Sequence, residues 1–352
     1  MNNRIVTRKL LLGGGLNGHD LYNKIIALEN LFSAWTEFKR GKLKKQDIID
    51  LSVILEESIF DLNQRLKDGS YKHSAYKDFY IYDPKLRHIH KAEAIDRLLH
   101  QAIFQILQPL YDRQFIFDSY SSRLNKGVHK ARARFHKLAW RLSRNNTRTV
   151  WVLKCDIRKF FDSVDHRILL AILARKIKDE KVLGLLAEII SSFETSPDKG
   201  IPLGNLTSQL FSNVYLNELD QEIKRKWRIK NYVRYADDFL ILDTDRAKLE
   251  ELLPMIADFL STNLKLSLHP DKVFIQRFAK GVDFLGNVTY PHHQILRTKT
   301  KKRVLKKMKK LKKELKMEKV SAEYVYQAQA SFLGLTKYCR GREIEKKIKS
   351  GL

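Results

Sequence analysis

The chain has 352 residues, enough for a large core and two or three domains. Hydrophobic residues make up 43% and charged residues 30%, which excludes a disordered chain. The 67 Lys and Arg against 40 Asp and Glu leave a net charge of +27, an excess that points to a polyanionic partner, most simply nucleic acid. No apolar run approaches the roughly 18–20 residues of a membrane span, so no membrane partner is expected. The start, "MNNRIVTRKLLLGGGLNG", has a Leu run too short for a secretory signal. Cys155 and Cys339 form no CxxC pair, so a zinc-binding module is not expected. Two isolated thiols in a chain this long read as reduced, and the expected compartment is the cytoplasm.

Residues 1–18 read as a flexible tail. From about 19 to 70 the apolar spacing is helical, as in "LYNKIIALENLFSAWTEF" and "IIDLSVILEESIFDLNQRL". "KDFYIYDPKLRHIH" alternates as strand, with Asp83-Pro84 marking a turn. "KAEAIDRLLHQAIFQILQPLYDRQF" predicts a long amphipathic helix, with Ile95, Leu98, Leu99, Ala102, Ile103 and Ile106 on one face. "TVWVLKCDIRKFFDSV" begins as a buried strand, and the following helix takes Asp165 as its N-cap. "GIPLGNLTSQLFSNVYLNELDQEI" is a turn opening into a helix. "YVRYADDFLILD" predicts a strand, an acidic turn and a strand, and "AKLEELLPMIADFLSTNL" a helix. "LKLSLHPDKVFIQRF" and "GVDFLGNVTY" predict short strands. Residues 300–319 form a very basic helix with an apolar seam of Val304, Met308, Leu311 and Leu315. The middle third predicts an antiparallel sheet backed by helices.

Three Asp residues stand where strands end or turn: Asp156, then Asp237 and Asp238. Adjacent carboxylates in an apolar run repel each other and are costly to desolvate. Carboxylates from two neighbouring strands can hold two divalent cations about 3.5–4 Å apart, which stabilise the attacking and leaving oxygens of an in-line phosphoryl displacement. Hard oxygen ligands suit Mg²⁺, and the metals offset the repulsion within the acidic pair. Turn chemistry alone also accounts for an Asp-Asp pair.

The surroundings of that pair carry a resemblance. "YADD" between apolar strands resembles the catalytic hairpin of reverse transcriptases, and "LKCDIRKFFDSVDH" their first palm motif. "GIPLGNLTSQLFSNVYLNELD" resembles the template- and nucleotide-positioning turn and helix, and "GVDFLG" the primer-grip turn. "KLRHIHKAEAIDRLLHQAIFQILQP" and "FDSYSSRLNKGVHKA" resemble the fingers motifs of the bacterial, group-II-intron-like branch. The similarity runs from about residue 20 to 340, in the family's order.

The resemblance implies an α+β fold, the right-hand polymerase: fingers, a palm with an antiparallel sheet backed by helices, and a helical thumb. It implies a helical extension and fingers over 19–148, a palm over 149–292 and a basic thumb over 293–352. Asp156, Asp237 and Asp238, with the backbone of Ile157, would bind two Mg²⁺ ions, with Mn²⁺ able to substitute. Phe161 matches the aromatic gate that excludes a 2′-OH, and Lys272 a lysine near the leaving pyrophosphate. Arg87, Arg97 and Arg123 lie in motifs that contact substrate. Plainer readings stand beside these. Either Phe160 or Phe161 is core, Lys272 is a solvated loop lysine, and Arg97 pairs with Asp96 or Glu93 on its own helix. Asp162 braces a turn, His129 packs, and the basic helix is merely solvated; against that last reading, its seam with dense Lys on the other faces fits a thumb that packs on the palm and tracks a duplex backbone.

The wider family has Q-G-x-x-x-S-P before the positioning helix, whereas this chain has "LGNLTSQ", with Leu203 for Gln, Gly204 kept and Gln209 for Pro. That pattern resembles the reverse transcriptases of diversity-generating retroelements, as do "LYNKIIALENLFSAW" and "GKLKKQDIIDL". The expected activity is RNA-directed DNA synthesis, error-prone opposite template adenine. The expected partners are an RNA template, the RNA/DNA duplex and dNTPs, together with a small basic accessory protein and a structured non-coding RNA. A solitary reverse transcriptase of antiphage defence, a non-catalytic RNA-binding or maturase-like scaffold, and an RNA-synthesising polymerase remain as alternatives.

Overall fold

The computed structural model describes residues 20–82 and 86–349. The expected tail at 1–18 and the Asp83-Pro84 turn lie outside the described residues. The chain divides into two compact units. One comprises 20–82, Leu86–Phe115 and Lys159–Tyr215; the other comprises Ile116–Arg158 and 216–349.

In the first unit the helix Leu28–Phe38 runs against the long helix Ala94–Asp112. Leu31, Ala34, Leu98, Leu99, Ala102 and Ile103 are fully buried. At 1.5–3 kcal/mol for a fully buried large aliphatic side chain, this seam outweighs the Pro109 inside the second helix. The buried stripe is rotated from the predicted one: Ile95 and Ile106 are only partly covered, while Leu107 and Tyr111 are buried. Strands β1 (Lys77–Tyr82) and β2 (Leu86–Lys91) pair antiparallel, and β1 is exposed along its whole length. Asp165 caps the helix His166–Lys176 by accepting from the Ile168 amide at 3.0 Å. The Ile201 amide donates to the Phe161 carbonyl at 2.8 Å, which ties the turn before the helix Leu206–Gln221 to the segment that begins at Lys159.

The second unit is built on an antiparallel sheet in the order β4-β5-β3-β6, from β3 (Trp151–Asp156), β4 (Tyr232–Tyr235), β5 (Asp238–Asp243) and β6 (Phe274–Arg277). Alternation along β3 and β5 sorts the side chains. Val152, Leu240 and Leu242 join Phe135 and Leu138 of the helix Val128–Leu142, with Val282 and Phe284, in one buried cluster. The alternate residues Leu153, Cys155, Phe239 and Ile241 are also buried, and the helix Arg246–Leu264 runs against β3, β5 and β6. A three-stranded sheet follows, β7 (Val282–Phe284), β8 (Asn287–Thr289) and β9 (Gln294–Leu296).

The basic helix spans Thr298–Lys316. Its seam does not pack on the four-stranded sheet, as the sequence suggested. Val304, Met308 and Leu311 bury with Val325, Ile344 and Ile348 of the two helices that follow, and Leu315 packs at the edge. The amphipathic pattern specifies an apolar stripe but not the surface that covers it, and the next helices in the chain reach it with the shortest loops.

Candidate active site

Antiparallel pairing of β3 with β5 places Asp156 directly opposite Asp238. Residues directly opposite in such a pair project to the same face. Tyr235 pairs with Asp238, so Ala236 and Asp237 form a two-residue turn. Ala236 has φ +53°, a left-handed conformation that costs an L-residue roughly 1–2 kcal/mol. Arg234 holds the turn by donating from Nη1 to the Ala236 carbonyl at 3.1 Å. The Ile157 amide donates to the Asp237 carbonyl at 3.3 Å, so the end of β3 and the turn are joined through the backbone.

Arg234 is itself fully buried, and its guanidinium forks onto Asp220 through Nε to Oδ1 at 2.8 Å and Nη2 to Oδ2 at 2.6 Å. The Tyr232 hydroxyl adds a third bond to Asp220 at 2.7 Å, and Nη2 also donates to Ser119 Oγ at 3.1 Å. Backbone bonds from Arg234 to Asp118 and from Tyr120 to Arg234 cover the outer edge of β4.

The Asp238 carboxylate is poorly solvated. Burial pushes the Asp238 carboxyl up to about 7, with Asp156 and Asp237 adding to the rise and Lys154 opposing it. Asp238 Oδ1 is buried with no hydrogen-bond partner. Two lysines supply the local positive charge: Lys154 Nζ lies 3.4 Å from Asp238 Oδ2, and Lys272 Nζ lies 2.7 Å from Asp156 Oδ1. Lys272 comes from the loop whose His269 amide donates to the Asp156 carbonyl at 2.8 Å. Among the described residues, no group of three His, Cys, Asp or Glu side chains is disposed to hold a metal ion. The donor set nevertheless suits a hard divalent cation: an orphaned buried oxygen of Asp238 beside Asp156 and Asp237, whose negative charges add to the rise that burial causes in its carboxyl.

The remaining expected site residues fall as follows. The first unit holds Phe161, Leu203, Gly204, Gln209, Arg87 and Arg97; the second holds Asp156, Asp237, Asp238, Ile157, Lys272 and Arg123. Phe160 is 2% exposed and packs edge-on against Phe161 at 5.4 Å, leaving Phe161 partly open. Gly204 has φ +108°, and a Cβ there would touch Ile89 of β2 at 3.6 Å, so the β1–β2 hairpin carrying exposed Arg87 lies at the Leu203-Gly204 turn. Gln209 sits partly buried in the first turn of its helix. On its own helix Arg97 reaches the Glu93 carbonyl through Nε at 3.4 Å, while the Glu93 carboxylate is paired with Lys77. The Arg97 guanidinium bonds Asp47 of the helix Gln46–Val53 and stacks on Phe38, while Asp96 is taken by Tyr71 at 2.8 Å. Arg123 spends Nη1 on the carbonyls of Ile116 and Ser119 at 2.6 and 3.0 Å. His129 packs its ring 4.0 Å from that of Tyr338. Asp162 is exposed, and its carbonyl accepts from Thr195 Oγ1 at 2.7 Å.

Sequence reasoning missed Lys154, Arg234 and Asp220. The signal available was a Lys in β3 and an Arg in β4, each flanked by apolar residues.

The family described as reverse transcriptase (RNA-dependent DNA polymerase) matches residues 76–289. Protein YkfC of Escherichia coli is 29% identical over 280 residues, covering 68% of this chain and 71% of that protein. Group II intron-encoded protein LtrA of Lactococcus lactis subsp. cremoris is 25% identical over 338 residues, covering 76% of this chain. The chain spans 54% of the length of LtrA. Apo telomerase from Candida tropicalis superposes with TM-score 0.51 at 12% identity, covering 81% of this chain and 64% of that one. At that identity the likeness is one of fold, the right-hand polymerase architecture.

Proposed function

The chain belongs to the reverse transcriptase family, the RNA-directed DNA polymerases, and we propose that it copies an RNA template into DNA within a diversity-generating retroelement. The observation that carries the polymerase reading is Asp156 facing Asp238 across β3 and β5, with Asp237 in the adjoining turn. In this reading a primer 3′-OH attacks the α-phosphate of a dNTP and pyrophosphate leaves. Asp156, Asp237 and Asp238, with the backbone of Ile157, would hold two Mg²⁺ ions, which when bound stabilise the charge developing on the phosphoryl oxygens. Phe161 packs against the sugar and selects deoxyribose. Exposed Arg87 reaches the triphosphate, and Lys272 exchanges Asp156 for the departing pyrophosphate. Residues 19–148 serve as helical extension and fingers, 149–292 as palm and 293–352 as thumb, whose Lys-rich helix follows the duplex backbone. The template in this reading is RNA, in keeping with the family's description as RNA-dependent DNA polymerase.

The retroelement assignment rests on Leu203 and Gln209. A Gln beside the nascent pair can test its geometry by hydrogen bonding, whereas Leu offers only shape. Sites built to hydrogen-bond reject wrong ligands far better than apolar ones. Misincorporation is therefore expected to concentrate opposite template adenine. A small basic accessory protein and a structured RNA are the partners this reading brings with it.

Primer extension on a defined RNA, with wild type and Asp237→Asn, followed by sequencing of the cDNA, tests both levels. Wild type is expected to synthesise DNA with errors at adenine, and Asp237→Asn to make none. Intact RNA binding without wild-type synthesis would make the chain a scaffold. Uniform low error across the template bases would remove the retroelement role and favour a solitary defence enzyme.

A further inference from the structure

Lys154 stands two residues before Asp156 on β3 and is 7% exposed. Strand alternation puts it on the face of Val152, opposite Leu240, among residues that bury with Phe135, Val282 and Phe284. A charge kept in such a place costs several kcal/mol unless it is paired and hydrogen-bonded. A Met or Leu would fill the same volume at less cost, so packing does not account for the lysine.

Its partners do. Nζ donates to the main-chain carbonyl of Asp283 at 2.7 Å and lies 3.4 Å from Asp238 Oδ2. The two oxygens of Asp238 thus differ: Oδ2 faces the ammonium, and Oδ1 is buried with no partner. The anchor is firm. Asp283 pairs with the one residue opposite it on β8, Val288, and its carboxylate bonds the Arg297 guanidinium. Arg297 in turn donates its amide to the Gly286 carbonyl at 3.1 Å and begins the Lys-rich helix Thr298–Lys316.

We infer that Lys154 is a positioning residue: anchored on the β7–β8 hairpin, its ammonium pins Oδ2 of Asp238 and leaves Oδ1 as the oxygen presented to a divalent cation. The inference rests on the polymerase reading for its consequence in turnover, but not for its consequence in cation binding. A positive charge beside the ligand set weakens cation binding by simple repulsion. In exchange it holds the carboxylate in one orientation. Loss of Lys154 therefore separates two quantities that general damage to the site would lower together: cation affinity rises while the rate falls.

The experiment compares wild type with Lys154→Gln, which still offers a donor to the Asp283 carbonyl, and with Lys154→Arg, which keeps the charge. Mn²⁺ binding is followed by electron paramagnetic resonance on the full chain without RNA or nucleotide, and single-turnover dNTP incorporation is followed separately. Lys154→Gln is expected to bind Mn²⁺ at least about 3-fold tighter. It is expected to incorporate dNTP about 10–100-fold more slowly, the usual cost of losing a group that orients a metal ligand, with an unchanged KM for dNTP. Lys154→Arg is expected to keep wild-type Mn²⁺ affinity and to recover part of the rate. Unchanged or weaker Mn²⁺ binding by Lys154→Gln overturns the inference, as does a wild-type rate. Should Lys154→Gln not fold, Lys154→Arg decides alone: a full wild-type rate with displaced donors overturns the pinning role. A wild-type chain that makes no cDNA defeats the polymerase reading instead, and the Mn²⁺ comparison still tests Lys154.

Discussion

Replacing Asp220 by Ala would leave Arg234 as an uncompensated charge inside the protein. Both side chains are fully buried, and the pair is bidentate. Ser119 Oγ and the Ala236 carbonyl, both at 3.1 Å, would still accept from the guanidinium, but neither carries a negative charge. The Tyr232 hydroxyl, which gives its hydrogen to Asp220, would lose its acceptor. Breaking one partner of a buried ion pair costs about 3–5 kcal/mol. At about 2–4 °C per kcal/mol for a unit of this size, the melting transition of the second unit should fall by about 6–20 °C. Calorimetry of wild type and Asp220→Ala measures this directly. The double variant Asp220→Leu with Arg234→Met removes the desolvation cost along with the attraction, so most of the stability should return. DNA synthesis should not return with it, because the Ala236 turn has lost the donor that holds its left-handed residue. A loss below about 1 kcal/mol for Asp220→Ala would refute the reasoning, and so would recovery of synthesis in the double variant.

Three further outcomes follow from the same structure. His100 is fully buried with neither ring nitrogen partnered, stacks on His73, and is pushed down to about 3 by burial, then by His73 and Arg97. A base depressed in the folded state stabilises above its unfolded value of about 6.5, and that stability drains as pH falls toward 3, so His100→Phe should flatten the loss in a pH series of melting curves. Asp238 behaves in the opposite sense: an acid raised to about 7 in the folded state makes metal-free stability fall as pH climbs from its unfolded value toward 7. Asp238→Asn should then melt higher than metal-free wild type at pH 8, by about 2–4 kcal/mol, with the gap closing near pH 4, while synthesis is lost. Gly204→Ala should cost roughly 1–2 kcal/mol, because the residue is held at φ +108° rather than because of a clash with Ile89; a neutral melting shift would show that the turn relaxes freely.

Part of the site was legible from the chain alone. Alternation and turn residues mark β3, β4 and β5, and adjacent Asp residues in an apolar run mark a costly pair, although turn chemistry alone also yields one. The Asp165 cap follows from a local rule and is formed as expected. Phe160 and Phe161 show the limit of spacing: it says that one is core, and the packing puts Phe160 inside. Arg97 shows where local reasoning misleads. Glu93 and Asp96 are nearer in sequence, yet Asp47 is the partner, because the helix–helix packing brings a distant carboxylate to the guanidinium while Tyr71 occupies Asp96.

Which residue types alternate, where the chain turns, and that three carboxylates stand at strand ends can be read along the chain, since these depend on neighbours a few positions away. The tertiary structure decided the rest. Antiparallel register set Asp156 against Asp238, and strand order carried Lys154 to the Asp283 carbonyl 129 positions along the chain. The helices after Lys316 covered a seam that the sequence had assigned to the palm. Pairings of that kind depend on topology, and topology is set by the sum of many burials rather than by any local signal.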